Sequence, residues 1–113
     1  MPNPNTVPLG NIKGNWVLAV TLSPAALGAT TSGEQTFTVP GVQLGDFIDI
    51  SKPSVQAGLS LGNVRASALN TIAIEFVNTS NGTLTPTASE IYNVGVTRPE
   101  NTTNNVSVLT QIT

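Results

Sequence analysis

Thr-Ile-Ala-Ile-Glu-Phe-Val-Asn, residues 71–78, alternates without a break. Ile72, Ile74 and Phe76 fall on one side, and Ala73 and Glu75 on the other. A period of two belongs to an extended strand with one buried face, and the β-branched and aromatic residues suit a pleated surface. On its N-terminal side, Leu69-Asn70 is a turn, preceded by a second strand over 59–68 that carries Val64 and Arg65. On its C-terminal side, NTSNGTLTPT (78–87) contains Asn-Gly and Thr-Pro, both turn signals, before a closing strand over 90–96.

The same pattern repeats further out. Asp46–Ser51 places Ile48 and Ile50 on one face and Phe47 with Asp49 on the other, and Lys52-Pro53 ends it. Phe47 is thereby left to a second layer or a neighbouring subunit. Glu34–Val39 sends Phe37 and Val39 inward and Glu34, Thr36 and Thr38 outward, and stops at Pro40-Gly41. Trp16–Leu22 sets Trp16, Leu18, Val20 and Leu22 on one face, with Trp16 assigned to the core, and ends at Ser23-Pro24. Residues 25–33 are a small-residue loop, 98–105 a polar loop, and Val106–Leu109 a last edge strand. No segment of helical length has a helical period. Short strands punctuated by Gly, Pro and Asn predict an all-β chain, either a β-sandwich or a small barrel.

Residues 1–15, MPNPNTVPLGNIKGN, lack this alternation, and their prolines remove ladder donors. They are expected to form an extended N-terminal arm, with 16–113 as the β domain. Val7, Leu9 and Ile12 are the side chains by which such an arm would dock on a partner.

Composition narrows the function classes. Only 9% of the 113 residues are charged and the net charge is −2, while Thr, Ser and Asn supply about a third of the chain. A surface of hydroxyls and amides bonds well without repelling copies of itself, which suits a dense array or an oligomer. Lys13, Lys52, Arg65 and Arg98 are scattered and aromatics reach only 4%, so no nucleic-acid groove is expected. With no Cys and no His, disulfides, thiolate nucleophiles, zinc sites and histidine bases are excluded. The start lacks a charged region followed by an apolar one, so no signal peptide is expected, and no run has the ~18 apolar residues of a membrane helix.

Six carboxylates remain: Glu34, Asp46, Asp49, Glu75, Glu90 and Glu100. Solvated strand faces account for all of them. Asp46 and Asp49 stand three apart on a strand, hence on opposite faces, while Glu75 and Glu90 fall on separate strands and could come near each other, as could any two outward residues of a sandwich. Asn78, Ser80 and Asn81 come closest to calcium spacing but include no carboxylate. No catalytic residue, cofactor or metal is expected.

Residues 20–96 carry a recognisable series: Pro-Gly-Val-x-Leu-Gly-Asp (40–46), Ser-Lys-Pro (51–53) and Gly-Leu (58–59). Val-Arg-Ala-Ser-Ala (64–68), the strand 71–78 and Thr-Pro-Thr-Ala (85–88) follow. This series resembles a small β domain of tailed-phage virion proteins, found in trimeric head-decoration (cement) proteins and in similar form at fibre tips. The resemblance implies a single antiparallel, jelly-roll-like β-sandwich without catalytic residues. It further implies a homotrimer that binds the major capsid protein on the outer surface of a phage head, after synthesis in the bacterial host cytoplasm. A 15-residue arm leaves no room for a fibre shaft, so decoration is the leading expectation, with a receptor- or carbohydrate-binding fibre tip as the alternative. Phe47 and Tyr92 are the apolar strand residues expected at the trimer axis.

Overall fold

A computed structural model describes residues 12–99. It contains six strands: β1 (Ile12–Leu22), β2 (Ser32–Thr38), β3 (Phe47–Ser51), β4 (Leu59–Ala68), β5 (Thr71–Asn78) and β6 (Glu90–Pro99). They form two antiparallel three-stranded sheets, β1-β6-β3 and β2-β5-β4. Every connection except the β4–β5 hairpin crosses from one sheet to the other. The two sheets pack face to face as a β-sandwich.

The inward set from the alternation makes the core. Ile72, Ile74 and Phe76 of β5 meet Leu22 of β1 and Tyr92, Val94 and Val96 of β6, with Phe37 edge-on to Phe76 at 6.3 Å. The loop residues Leu27, Val39 and Val42 complete it. Each sheet has its most buried strand in the middle, since a central strand is flanked by neighbours on both edges.

The outward side of β5 is buried as well at one point. Ala73 is fully covered although it faces away from the core. Arg65 of β4 and Glu34 of β2 meet across β5 in a two-pronged ion pair, Nε to Oε2 and Nη2 to Oε1, both 2.8 Å. Arg65 stands opposite Ala73 and Glu34 opposite Glu75, so the pair roofs the small alanine. Glu75 turns its carboxylate to the irregularity in β4 between Leu61 and Val64 and accepts from the Asn63 N–H at 3.1 Å. A Cβ on Gly62 would overlap the Glu75 carboxylate. Gly62→Ala is therefore expected to push Glu75 off Asn63 and cost about 1 kcal/mol in a urea titration. An unchanged midpoint would show that Glu75 does not support the bulge.

Loops close the two ends of the sandwich. At one end, the Leu69-Asn70 turn clips onto the segment after β2. Asn70, with a φ of 57°, receives the Val39 N–H at 2.8 Å, donates to Val42 O at 2.7 Å and accepts from Gly41 N through its side chain at 2.8 Å. Asparagine tolerates that left-handed backbone, which is why it serves here. At the other end, Leu27 and Leu84 exchange backbone hydrogen bonds of 2.7 and 3.0 Å, joining the β1–β2 and β5–β6 loops.

The structure differs from expectation at several points, among them β6, which runs on to Pro99 into the start of the loop expected over 98–105. β1 begins at Ile12, whose partner is Pro99, so residues 12–15 belong to the sheet and Ile12 is a strand residue instead of part of an arm. Trp16 is 43% exposed instead of buried in the core, because the inner face at the Ile12 end of β1 is covered by a loop and not by the opposite sheet. Val7, Leu9 and the strand expected over 106–109 lie outside the described residues.

Candidate functional site

The carboxylates go to structural partners. Lys52 reaches Glu90 at 2.9 Å and also donates to the Ser54 carbonyl and hydroxyl, while the Ser54 hydroxyl donates to Glu90. These contacts, the Ser54 bond foremost, hold the Glu90 carboxyl below the usual range. Arg65 does the same for Glu34. Glu75 and Glu90 sit on different sheets and do not face each other across a cleft.

Asp46 corrects the expectation of six solvated carboxylates: it is buried. Arg98 of β6 grips it by two bonds, Nε to Oδ1 at 2.9 Å and Nη2 to Oδ2 at 2.8 Å, and the Gln43 N–H donates to Oδ2 at 2.9 Å. Those contacts, the guanidinium first, lower the carboxyl's pKa against the opposing effect of burial. Arg98 also donates to Gly41 O at 2.7 Å and lies 4.9 Å over the Trp16 ring. The loop over 40–46 is thus locked beneath the end of β1-β6-β3. The Trp16 ring lies so close to Gly14 that a Cβ there would overlap it at 2.5 Å. With the guanidinium over the ring and Gly14 against its edge, Trp16 does not stand out as a free platform for sugar stacking.

Asn78, the nearest approach to a calcium pattern, is a buried hub. Its side-chain N–H groups point at Leu27 O, Gly28 O and Gly82 O at 3.2, 2.9 and 2.9 Å. Its oxygen accepts from the Ser80 N–H at 2.9 Å and the Ser80 hydroxyl at 2.7 Å. An oxygen already taken by two donors is not directed at a cation. Among the described residues, no group of three or more acidic side chains is placed to hold a metal ion.

The two outer faces of the sandwich differ in chemistry. The β2-β5-β4 face carries Glu34, Arg65 and Glu75. The β1-β6-β3 face is apolar and amide-rich. By register its rows run Asn15, Thr97, Phe47, then Val17, Gly95, Asp49, then Ala19, Asn93, Ser51, with Thr21 beside Ile91 below. Phe47 is 71% exposed and Val17 76%. Between them the missing side chain of Gly95 leaves a trough of about 410 Å³.

Of the two side chains expected at a subunit axis, Phe47 stands on this open face. Tyr92 does not. It is 0% exposed in the core, because even-numbered residues of β6 point inward, and it is unable to reach another subunit without unfolding its own. Val17 is the exposed residue that sequence reading passed over. The signal was its place among the odd residues of β1, opposite the face given to Trp16 and Leu18.

No protein-family model, curated protein or solved structure matches this chain.

Proposed function

We propose that this chain is a structural virion protein that decorates the outer surface of a tailed-phage head, self-associating as a trimer and cementing the shell without catalysis. The observation that carries this reading is the pairing of Ile12 with Pro99. It sets both ends of the described residues side by side at one end of the sandwich. An arm leaving there can reach the major capsid protein while the rest of the domain stands clear of the shell. The residues behind the resemblance also serve the framework. Asp46 anchors the loop over 40–46, residues 71–76 build the core, and Asn78 ties the far loops together. Those roles suit a domain selected for shape and stability. Each copy that binds only the expanded shell adds its binding free energy to that state, and several copies act together.

Deletion of residues 2–11, which stops short of Ile12 and its pairing with Pro99, tests the arm. The shortened protein is expected to keep its cooperative unfolding and lose binding to undecorated heads in a co-sedimentation assay. Saturation of heads by the shortened protein would sink the arm mechanism.

A further inference from the structure

We infer that Asn81-Gly82 is a self-modification site, at which the Gly82 backbone nitrogen attacks the Asn81 side-chain amide and leaves an aspartyl or isoaspartyl linkage in the loop that Asn78 holds. The inference goes beyond the proposed function and does not depend on it.

The reaction needs an asparagine amide in solvent, followed by a nitrogen that no side chain crowds. Asn81 and Gly82 are both exposed. The hydrogen bonds of this loop run between Asn78, Ser80 and Gly82 and leave the Asn81 amide unused. The Gly82 N–H makes one long contact, 3.4 Å to the Ser80 hydroxyl, and a Cβ on Gly82 would meet nothing within 4 Å. The other asparagines among the described residues are worse placed. Asn15, Asn63 and Asn93 lie in strands, before Trp16, Val64 and Val94. Asn70 and Asn78 precede β-branched threonines and have their side chains in hydrogen bonds.

The step balances with water alone. The Gly82 nitrogen gives up its proton and bonds to Asn81 Cγ, the Cγ–Nδ2 bond breaks, and ammonia leaves. Water then opens the cyclic imide at either carbonyl. Opening at Cγ gives an ordinary aspartate. Opening at the backbone carbonyl carbon leaves the chain running through Cβ and Cγ, longer by one atom. Both routes take in one water and release one ammonia.

Asn78 makes the two products unequal. Its oxygen holds Ser80 by the N–H at 2.9 Å and the hydroxyl at 2.7 Å, and its nitrogen reaches Gly82 O at 2.9 Å. Residue 81 therefore spans two clamped points, and an extra backbone atom there displaces one of them. An aspartate only adds charge at an exposed position. Two residues beyond Gly82, Leu84 exchanges backbone bonds with Leu27, so the loosening passes to the β1–β2 loop.

The test keeps the full chain in warm, mildly alkaline buffer, beside a sample unfolded in guanidinium chloride as the reactive reference. Electron-transfer fragmentation reads residue 81. Folded wild type is expected to gain about 1 Da there, with isoaspartate beside aspartate. Gly82 takes no positive φ and has room for a side chain, so Gly82→Val should fold and slow the gain roughly tenfold. In the isoaspartyl form, hydrogen exchange at the Leu27 and Leu84 amides should be roughly tenfold faster, whereas Asn81→Asp should keep wild-type rates. If the folded chain keeps its mass while the unfolded sample reacts, the folded loop blocks the attack and the inference falls. It falls equally if folded Gly82→Val reacts as fast as wild type. If the isoaspartyl form exchanges like wild type, the clamp tolerates the extra atom and the unequal effect of the two products is overturned.

Discussion

Asn78→Asp is expected to lower the stability of the domain by about 4 kcal/mol. The substitution keeps shape and removes the two N–H donors that reach Leu27 O, Gly28 O and Gly82 O, each of which also accepts from one other group. An oxygen then faces three carbonyl oxygens in a site that is 1% exposed. Ionised, it is a buried charge without a partner, and protonated, it offers one donor to three acceptors. The carboxyl will therefore hold its proton, with a folded pKa above the unfolded one. Its share of the loss is smaller at low pH and grows as pH rises through that range. Asn78→Ala removes the same donors without adding a charge, and because Leu27 O, Gly28 O and Gly82 O keep the Leu84 N–H, the Thr31 hydroxyl and the Ser80 hydroxyl it should cost less, about 2 kcal/mol at any pH. Urea midpoints at two pH values check both. Asn81→Asp, in the same loop but exposed, is the control and should shift nothing beyond about 0.5 kcal/mol. If Asn78→Asp behaves like Asn81→Asp, the hub does not hold the two loops together.

The second large effect is expected at Asp46. Asp46→Ala leaves Arg98 without its carboxylate and the Gln43 N–H without its acceptor. Breaking a buried ion pair costs about 3–5 kcal/mol, but Arg98 keeps 18% of its side chain in solvent, so about 2 kcal/mol is the expectation here. The chain's one Trp reports the event, because Trp16 lies under the Arg98 guanidinium. Its emission should move to longer wavelength in Asp46→Ala at neutral pH.

Wild type should show the same change only in acid. Contacts to Arg98 and Gln43 lower the Asp46 carboxyl below its unfolded value, so the unfolded chain takes up the proton first. The stabilisation is whole above the ordinary Asp range, near pH 4, and is lost as pH falls through the lower folded value. Glu34 and Glu90 add to the same acid sensitivity, since their pairs lower them too. Asp46→Asn keeps an acceptor for Gln43 but has nothing to titrate, so its Trp16 emission should stay flat across that window. A wild-type emission that stays flat all the way to acid unfolding would show that the Arg98 contact does not position Trp16.

Strands and turns were legible because each depends on neighbours in sequence. Residues 71–78 alternate, and the backbone has little choice about which side Ile72 and Glu75 take. Leu69-Asn70 was legible as a turn for a similar reason, since a residue that tolerates positive φ can reverse the chain in two steps. The inner faces of β2, β3 and β5 followed from the same period. Trp16 misled because an apolar residue at the right parity is buried only if the opposite layer extends that far. At the Ile12 end of β1 it is met by the loop over 40–46.

The ion pairs were not legible. Asp46 and Arg98 are 52 residues apart and Glu34 and Arg65 are 31 apart, and nothing local says which of four cations meets which acid. The outer face of β1-β6-β3 was half legible. Phe47 was marked by standing on the face of its strand opposite Ile48 and Ile50. Gly95 and Val17 were not, because a trough exists only once β1, β6 and β3 lie side by side in register.

The sequence by itself determined an all-β chain, the inward and outward residues of most strands, and a low-charge surface, all of which follow from side-chain alternation and composition. The tertiary structure alone decided which strands share a sheet, that Tyr92 is core while Phe47 is surface, and that Asn78 and Asp46 are anchors. Those outcomes depend on groups far apart in the chain meeting in space, where burial sets the cost of leaving a polar group unpaired.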